Sequence, residues 1–155
     1  DLEAEGRKYT PHPGQEVIVR MVKEFKRAGR AAGGGFYEYP KEGKKFLWPE
    51  LARIYGRKNA SWDFEELKER ILFRQAIETA RCLEEGVLEH VHDGNIGSIF
   101  GIGFPAWAGG ALQYVNHVGT KKFVKRAEAL AKKLGPRFAP PKLLRDLAAK
   151  NKPLA

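Results

Sequence analysis

The sequence is poor in the features that would commit it to a chemistry. It has one cysteine, Cys82, among 155 residues. That excludes an intrachain disulfide and a cysteine-based zinc cluster, and fits a reducing compartment. No apolar run approaches the roughly 18 residues of a membrane span, and no signal-like segment opens the chain. A soluble, cytoplasmic protein is expected. There is no convincing period-2 alternation; Val17 to Arg20 comes nearest, and helical spacing explains it better. The chain has no internal repeat. It also starts without methionine, at Asp1, and reads as a processed or truncated piece of something longer. At this length there is room for one compact domain, or a small domain plus a strapped-on segment.

Charge is abundant but uneven. The formal net charge is +9. From Thr120 to Ala155, eleven Lys or Arg face only Glu128 and Asp146, while the first 119 residues hold 17 basic and 17 acidic side chains. Such a basic end suits a solvated helix face, or an anionic partner such as nucleic acid, a phosphate-bearing ligand or an acidic domain. Phe123 and Phe138 interleave with the charges, but no zinc finger, RNA-recognition motif or helix-turn-helix pattern accompanies them. A nucleic-acid role is not expected.

Helical periodicity runs through most of the chain. Residues 1–12 read as an irregular strap with a turn cluster around Pro11, His12 and Pro13. Val17, Ile18, Met21, Val22 and Phe25 predict a helix over Gln15–Arg27, ended by Gly29 in a left-handed conformation. Pro49 opens a short helix to Tyr55. Asp63, with Glu66 three residues on, has capping-box spacing and starts the longest helix, to Glu85, with Leu67, Ile71, Ile77, Ala80 and Leu83 inward and Gly86 ending it. Asp93 caps another short helix through Ile96, Ile99 and Phe100. Pro105 starts a helix over Ala106–His117, and Thr120 caps one whose stripe is Phe123, Val124, Ala127, Leu130, Ala131 and Leu134. A last helix from Pro141 carries Leu143, Leu144 and Leu147 before a polar tail.

Catalytic patterns fail one by one. The run Gly33-Gly34-Gly35 is followed by aromatics and Pro40, with no helix after it, so it is no phosphate loop. Gly101-Ile102-Gly103 lacks the third glycine and the strand of a dinucleotide fingerprint. Of the histidines His12, His90, His92 and His117, the pair at 90 and 92 would diverge on a helix. Ser98 lacks a nucleophile-elbow context, and Glu84-Glu85 point apart. No catalytic, cofactor-binding or metal-binding residue is expected. Glycines and rings at these places instead suit close helix contacts and docking.

Several ordered motifs resemble one family. Gly29-Arg30 with Gly33-Gly34-Gly35-Phe36-Tyr37-Glu38-Tyr39 is similar to a glycine-rich aromatic segment near the end of the helical domain in 3-hydroxyacyl-CoA dehydrogenases. Asp63–Gly86 resembles the long helix of the second helical domain in multifunctional β-oxidation proteins. Asp93-Gly94-Asn95-Ile96-Gly97, Phe100-Gly101-Ile102-Gly103-Phe104-Pro105 and Gly109-Gly110-Ala111 follow in that domain's order, and Leu134-Gly135-Pro136-Arg137-Phe138 with Leu143-Leu144 resembles its end. The resemblance covers about residues 27–148.

It implies an all-α bundle of the 6-phosphogluconate dehydrogenase C-terminal-like type. Residues 1–45 would be the tail of the first helical domain, 46–150 the second helical domain and 151–155 a tail. It also implies a parent enzyme whose Rossmann domain binds NAD and acts on acyl-CoA, often beside an enoyl-CoA hydratase domain. The missing Rossmann and first helical domains would be this piece's partners, and self-association is a further mode. None of the family's catalytic positions maps here. Phe36, Tyr37, Phe104, Pro105, Trp107, Gly109 and Gly110 are the expected residues of a domain interface or cleft wall. The rival expectation is an independent basic module binding an anionic ligand such as a CoA ester or nucleic acid.

Overall fold

In the computed structural model, residue 6, residues 13–58 and residues 60–155 are described. The expected N-terminal strap and His12 otherwise lie outside them. The chain divides into two compact units between Ala60 and Ser61, whereas the resemblance starts a domain at residue 46.

The first unit holds α1 (Pro13–Lys23), the antiparallel strands β1 (Tyr37–Glu38) and β2 (Phe46–Leu47), and α2 (Glu50–Tyr55). The small strand pair was not anticipated. Two residues per strand are too few to show alternation, and the pair is fixed by facing Tyr37 to Leu47 and Glu38 to Phe46. Helix α1 begins two residues earlier than its periodicity suggests and stops at Lys23, because Lys26, not Gly29, takes the left-handed conformation (φ 58°). Among the described side chains of the helix Met21 alone is fully buried, while Ile18 and Val22 are exposed.

The second unit is built from α3 (Phe64–Glu84), α4 (Val91–Ile102), α5 (Ala111–Val118), α6 (Thr120–Leu134) and α7 (Lys142–Ala149), with short 3-10 turns at Ala106–Ala108 and Pro136–Phe138. Helix α3 starts where the sequence says it should. Asp63 Oδ1 accepts from the amides of Glu65 and Glu66 at 3.0 and 3.1 Å. Only half of a capping box forms, because the Glu66 side chain turns to Arg70 and Lys133 instead. At the other end Gly86 is left-handed (φ 73°), and Val87 N–H reaches the Cys82 carbonyl at 2.8 Å, a Schellman closure.

Four rings and the aliphatic chains around them make the core. Phe73 from α3 stacks on Phe123 from α6, centroids 4.2 Å apart and nearly parallel, and Tyr114 from α5 meets both edge-on. Phe104 closes the group against Tyr114 at 5.9 Å. Burial and then the nearby Glu69 charge raise the Tyr114 hydroxyl above its usual pKa. Around the rings lie Leu72, Ala76, Ile77, Ala80, Leu112, Val115, Ala127, Leu130 and Leu144. The α6 stripe matches expectation, but Ile71 of α3 is exposed: it sits roughly 200° around the helix from Phe73, away from the packed face.

Three helix starts differ from the sequence reading. His90, not Asp93, precedes α4, and Asp93 lies in its first turn. The helix expected over Ala106–His117 is broken by Gly109 and Gly110 (φ 73° and 104°), so only Ala111–Val118 is α-helical. Gly119 precedes α6, which puts Thr120 inside the helix and buries it. The expected polar tail is also anchored. Asn151 takes the left-handed position after α7 (φ 51°) and Lys152 N–H bonds the Leu147 carbonyl at 2.9 Å. Leu154 is then buried, its carbonyl accepting from Asn116 Nδ2 at 2.9 Å and its amide donating to Asn116 Oδ1 at 2.8 Å.

Part of the basic end is neutralised within the unit. Glu66 of α3 accepts from Lys133 of α6 at 2.7 and 2.8 Å and from Arg70 at 2.6 Å, while Arg126 Nε donates to Glu69 at 2.8 Å. Arg74 and Arg81 reach the carbonyls of Arg137 and Ala139, and Glu84 accepts from the Leu143 amide near the start of α7.

Two outcomes follow. Phe123→Ala, which empties a fully buried ring site, should lower unfolding free energy by about 3–5 kcal/mol in urea titration; a loss below about 1 kcal/mol contradicts this core. Lys133, then Arg70, hold the Glu66 carboxyl below the usual glutamate range. Its contribution is therefore full above an unfolded pKa of about 4.3 and is lost as pH falls through the lower folded value. The stability gap between the native chain and Glu66→Gln should be constant near neutrality and shrink below about pH 4; a gap that persists unchanged at pH 3 refutes the pairing.

Candidate functional site

Helices α4 and α5 meet through glycine. A Cβ on Gly94 would lie 2.8 Å from Leu112 and 3.1 Å from Thr79, and one on Gly110 would lie 2.4 Å from the Asn95 Cα. Only backbone fits at these two places. The approach lets α4 side chains cap α5. Asn95 Oδ1 accepts the amides of Leu112 and Gln113 at 3.0 and 2.8 Å, and Ser98 Oγ accepts the Ala111 amide at 3.0 Å while donating to the Asn95 carbonyl at 2.9 Å. The three otherwise orphaned donors of the first α5 turn are thus satisfied from another helix. Sequence reasoning missed Asn95: the signal for a cap normally sits next to the helix it caps, and this one is 17 residues away from Leu112.

Beside this clamp runs an apolar groove of about 430 Å³ between α3 and α4, with Thr79, Cys82, Val87, Gly97, Ser98 and Ile102 in its wall. Ile102 of the wall and several large apolar side chains of α4 and the turn after it find no cover. Ile96 and Phe100, four residues apart on α4, face outward, as do Ile102 and Trp107; Phe100 is 86% and Trp107 72% exposed. Large apolar groups left exposed in this way suit a surface for contact rather than for chemistry. The polar groups of the groove are spread thinly, and among the described residues no three His, Cys, Asp or Glu side chains gather as metal ligands.

In the first unit the glycine run wraps an arginine. Arg27 donates from Nε to the Gly35 carbonyl at 2.8 Å, pairs with Glu38 at 2.9 Å and lies over the Trp48 ring at 4.7 Å. A Cβ on Gly34 would stand 2.5 Å from the guanidinium. Glycine here makes room for a stacked cation.

The expected interface residues fall in different settings. Phe36 and Tyr37 are exposed on the first unit, Lys45 covering the Tyr37 ring at 4.8 Å. Phe104 is core, Pro105 half-buried, Trp107 exposed, Gly109 exposed and Gly110 buried under Asn95. His90 and His92 do not diverge: their rings stack with centroids 5.1 Å apart, because His90 is outside the helix. Both are exposed, as is His117. Cys82 is half-buried in the groove wall. No helix of the described residues is long and apolar enough to cross a membrane.

No protein-family model matches the sequence. Known proteins do. Over 129 residues, 81% of its length, the chain is 40% identical to the fatty acid oxidation complex subunit alpha of Shewanella amazonensis. It is 36% identical to the same subunit of Shewanella putrefaciens over 129 residues, and 39% identical to that of Shewanella loihica over 126. The chain spans 18% of the length of each of these relatives. Most of this sequence is therefore similar to one segment of a much longer fatty-acid oxidation protein.

The clamp makes a prediction of its own. Asn95→Ala orphans two amides of α5 and should destabilise the fold by about 1–2 kcal/mol, whereas Asn95→Asp, which keeps the acceptor, should cost less. Equal losses in the two variants, measured by chemical denaturation, would show that the acceptor oxygen is not what matters.

Proposed function

We propose that this chain is the C-terminal, noncatalytic helical part of an NAD-dependent 3-hydroxyacyl-CoA dehydrogenase of fatty-acid β-oxidation. Its second unit braces the acyl-CoA cleft and packs on the preceding helical domain, in a bundle of the 6-phosphogluconate dehydrogenase C-terminal-like type. NAD and acyl-CoA belong to the parent enzyme, which also carries an enoyl-CoA hydratase domain and works in the cytoplasm. The reading rests on the similarity to fatty acid oxidation complex alpha subunits, 40% identical in one case. The exposed Phe100, Ile102 and Trp107 support the bracing role, since a wall that docks on another domain needs uncovered apolar area. So does the way glycines and rings are spent on helix contacts, with Ser98 used as a helix cap.

The test is a chimera. The matching segment of the Shewanella amazonensis subunit is replaced by this chain, and NADH formation from a 3-hydroxyacyl-CoA is followed. The chimera should keep activity within about tenfold of its parent, and Phe100→Asp in the grafted segment should lower activity further by placing a charge in a dry contact. The isolated chain should turn over no acetoacetyl-CoA with NADH. Turnover by the isolated chain, or a folded chimera with an active hydratase and no dehydrogenase activity, overturns the proposal.

A further inference from the structure

The hairpin of the first unit holds positive charge that its own residues leave unanswered. Strands β1 and β2 pair Tyr37 with Leu47 and Glu38 with Phe46. Continued towards the turn, that register sets Tyr39 across from Lys45 and on the same face as Tyr37, because strand side chains alternate. Arg30 reaches the hairpin from the 3-10 turn at Arg30–Ala32, and its guanidinium lies 5.7 Å from the centre of the Tyr39 ring. Lys45 Nζ lies 4.8 Å from the centre of the Tyr37 ring.

Rings hold these two cations in place without cancelling their charge, since a ring attracts a cation through its quadrupole and carries no net charge. Other arginines of the unit are neutralised: Arg20 pairs with Glu24, Arg27 with Glu38 and Arg53 with Glu50. Among the described residues neither Arg30 nor Lys45 has a carboxylate partner, and the guanidinium of Arg30 makes no hydrogen bond. Both side chains line one cavity of about 350 Å³, whose other wall residues are Tyr39, Pro40 and Gly43. No carboxylate lines it. Pro40 and the left-handed Gly43 (φ 97°) set the course of the turn that closes the cavity, and Lys41 and Lys44 flank them against the single acid Glu42.

We propose that this hairpin cavity binds a phosphate group, with Arg30 as a two-pronged donor and Lys45 as a second positive charge. Two cations in a wall without acids suit a dianion better than the single charge of a carboxylate, and a planar guanidinium matches two phosphate oxygens at once. Because the rings already restrict both side chains, less conformational freedom is lost when the anion arrives. The inference gives Arg30 and Tyr39 a task that the bracing role does not, and it can hold or fail without the dehydrogenase reading. The phosphate comes either free or as an ester.

The probes are inorganic phosphate, adenosine 5′-monophosphate and adenosine, titrated into the full 155-residue chain at low salt while its amide resonances are followed. Phosphate should shift the amides of Arg30, Gly43 and Lys45 saturably, in the millimolar range, and bind more weakly as ionic strength rises. Tighter binding of the monophosphate at the same amides assigns the group to an ester, and equal or weaker binding assigns it to free phosphate. Arg30→Gln should weaken binding about tenfold and Lys45→Gln about threefold. Both side chains are exposed, so neither change should unfold the chain. Lys121→Gln, the same loss of charge on exposed α6 surface, should leave the affinity unchanged. The proposal is overturned if phosphate leaves those three amides unmoved or if adenosine shifts them as much as the monophosphate does. It is equally overturned if the Arg30→Gln and Lys45→Gln chains bind like the native one, or if Lys121→Gln weakens binding as much as they do.

Discussion

The second unit depends on the contact of α4 with α5. Gly94 and Gly110 remove the side chains that would hold the two backbones apart, and Asn95 and Ser98 then reach across to satisfy the start of α5. The consequence travels to the core. Helix α5 carries Leu112, Tyr114 and Val115, and its direction sets where the Tyr114 ring meets Phe73, Phe104 and Phe123. Without glycine at position 110, α5 would have to shift away from α4, and the aromatic group would lose its shared contacts. Backbone that bends through positive φ at Gly109 and Gly110 also ends the preceding 3-10 turn, so one dipeptide serves both the break and the approach.

Charge is arranged around the same frame. Helix α3 acts as a rail: its acids near the start hold Arg126 and Lys133 of α6, and its arginines and Glu84 near the end hold the turn leading into α7. Such surface pairs contribute little each, but together they fix which faces of α3, α6 and α7 meet. The excess positive charge that remains lies mostly on α6, α7 and the anchored tail, with Lys152 brought beside Thr120 by the left-handed Asn151. Exposed apolar side chains lie elsewhere, on α4 and the turn after it and along α3. Apolar and basic side chains are therefore exposed on different elements of one small bundle.

Legibility followed the range of the interaction. Asp63 and Gly86 bracket α3 through contacts two to five residues away, and both could be read from the sequence. The stripe of α6 was equally plain, because Phe123, Val124, Ala127 and Leu130 repeat at helical period and all are buried. What could not be read depends on neighbours distant in the chain. Nothing local distinguishes Asn95 from a solvent-facing residue, nor shows that Arg27 is what Gly34 makes room for. Leu154 sits by sequence in a polar tail, yet Asn116, 38 residues earlier, holds it by both its carbonyl and its amide. The stripe from Leu67 places Ile71 inward, but the helix buries the face of Phe73, Ala76 and Ile77 instead.

The clamp can be measured where it acts. The first amides of an ordinary exposed helix exchange their hydrogens almost freely, since they have no partner within the helix. If Asn95 and Ser98 hold α5 as described, the amides of Ala111, Leu112 and Gln113 should exchange only on global unfolding, with protection close to that of the core amides of α6. Exchange of those three amides at nearly unprotected rates, while α6 stays protected, would contradict the account.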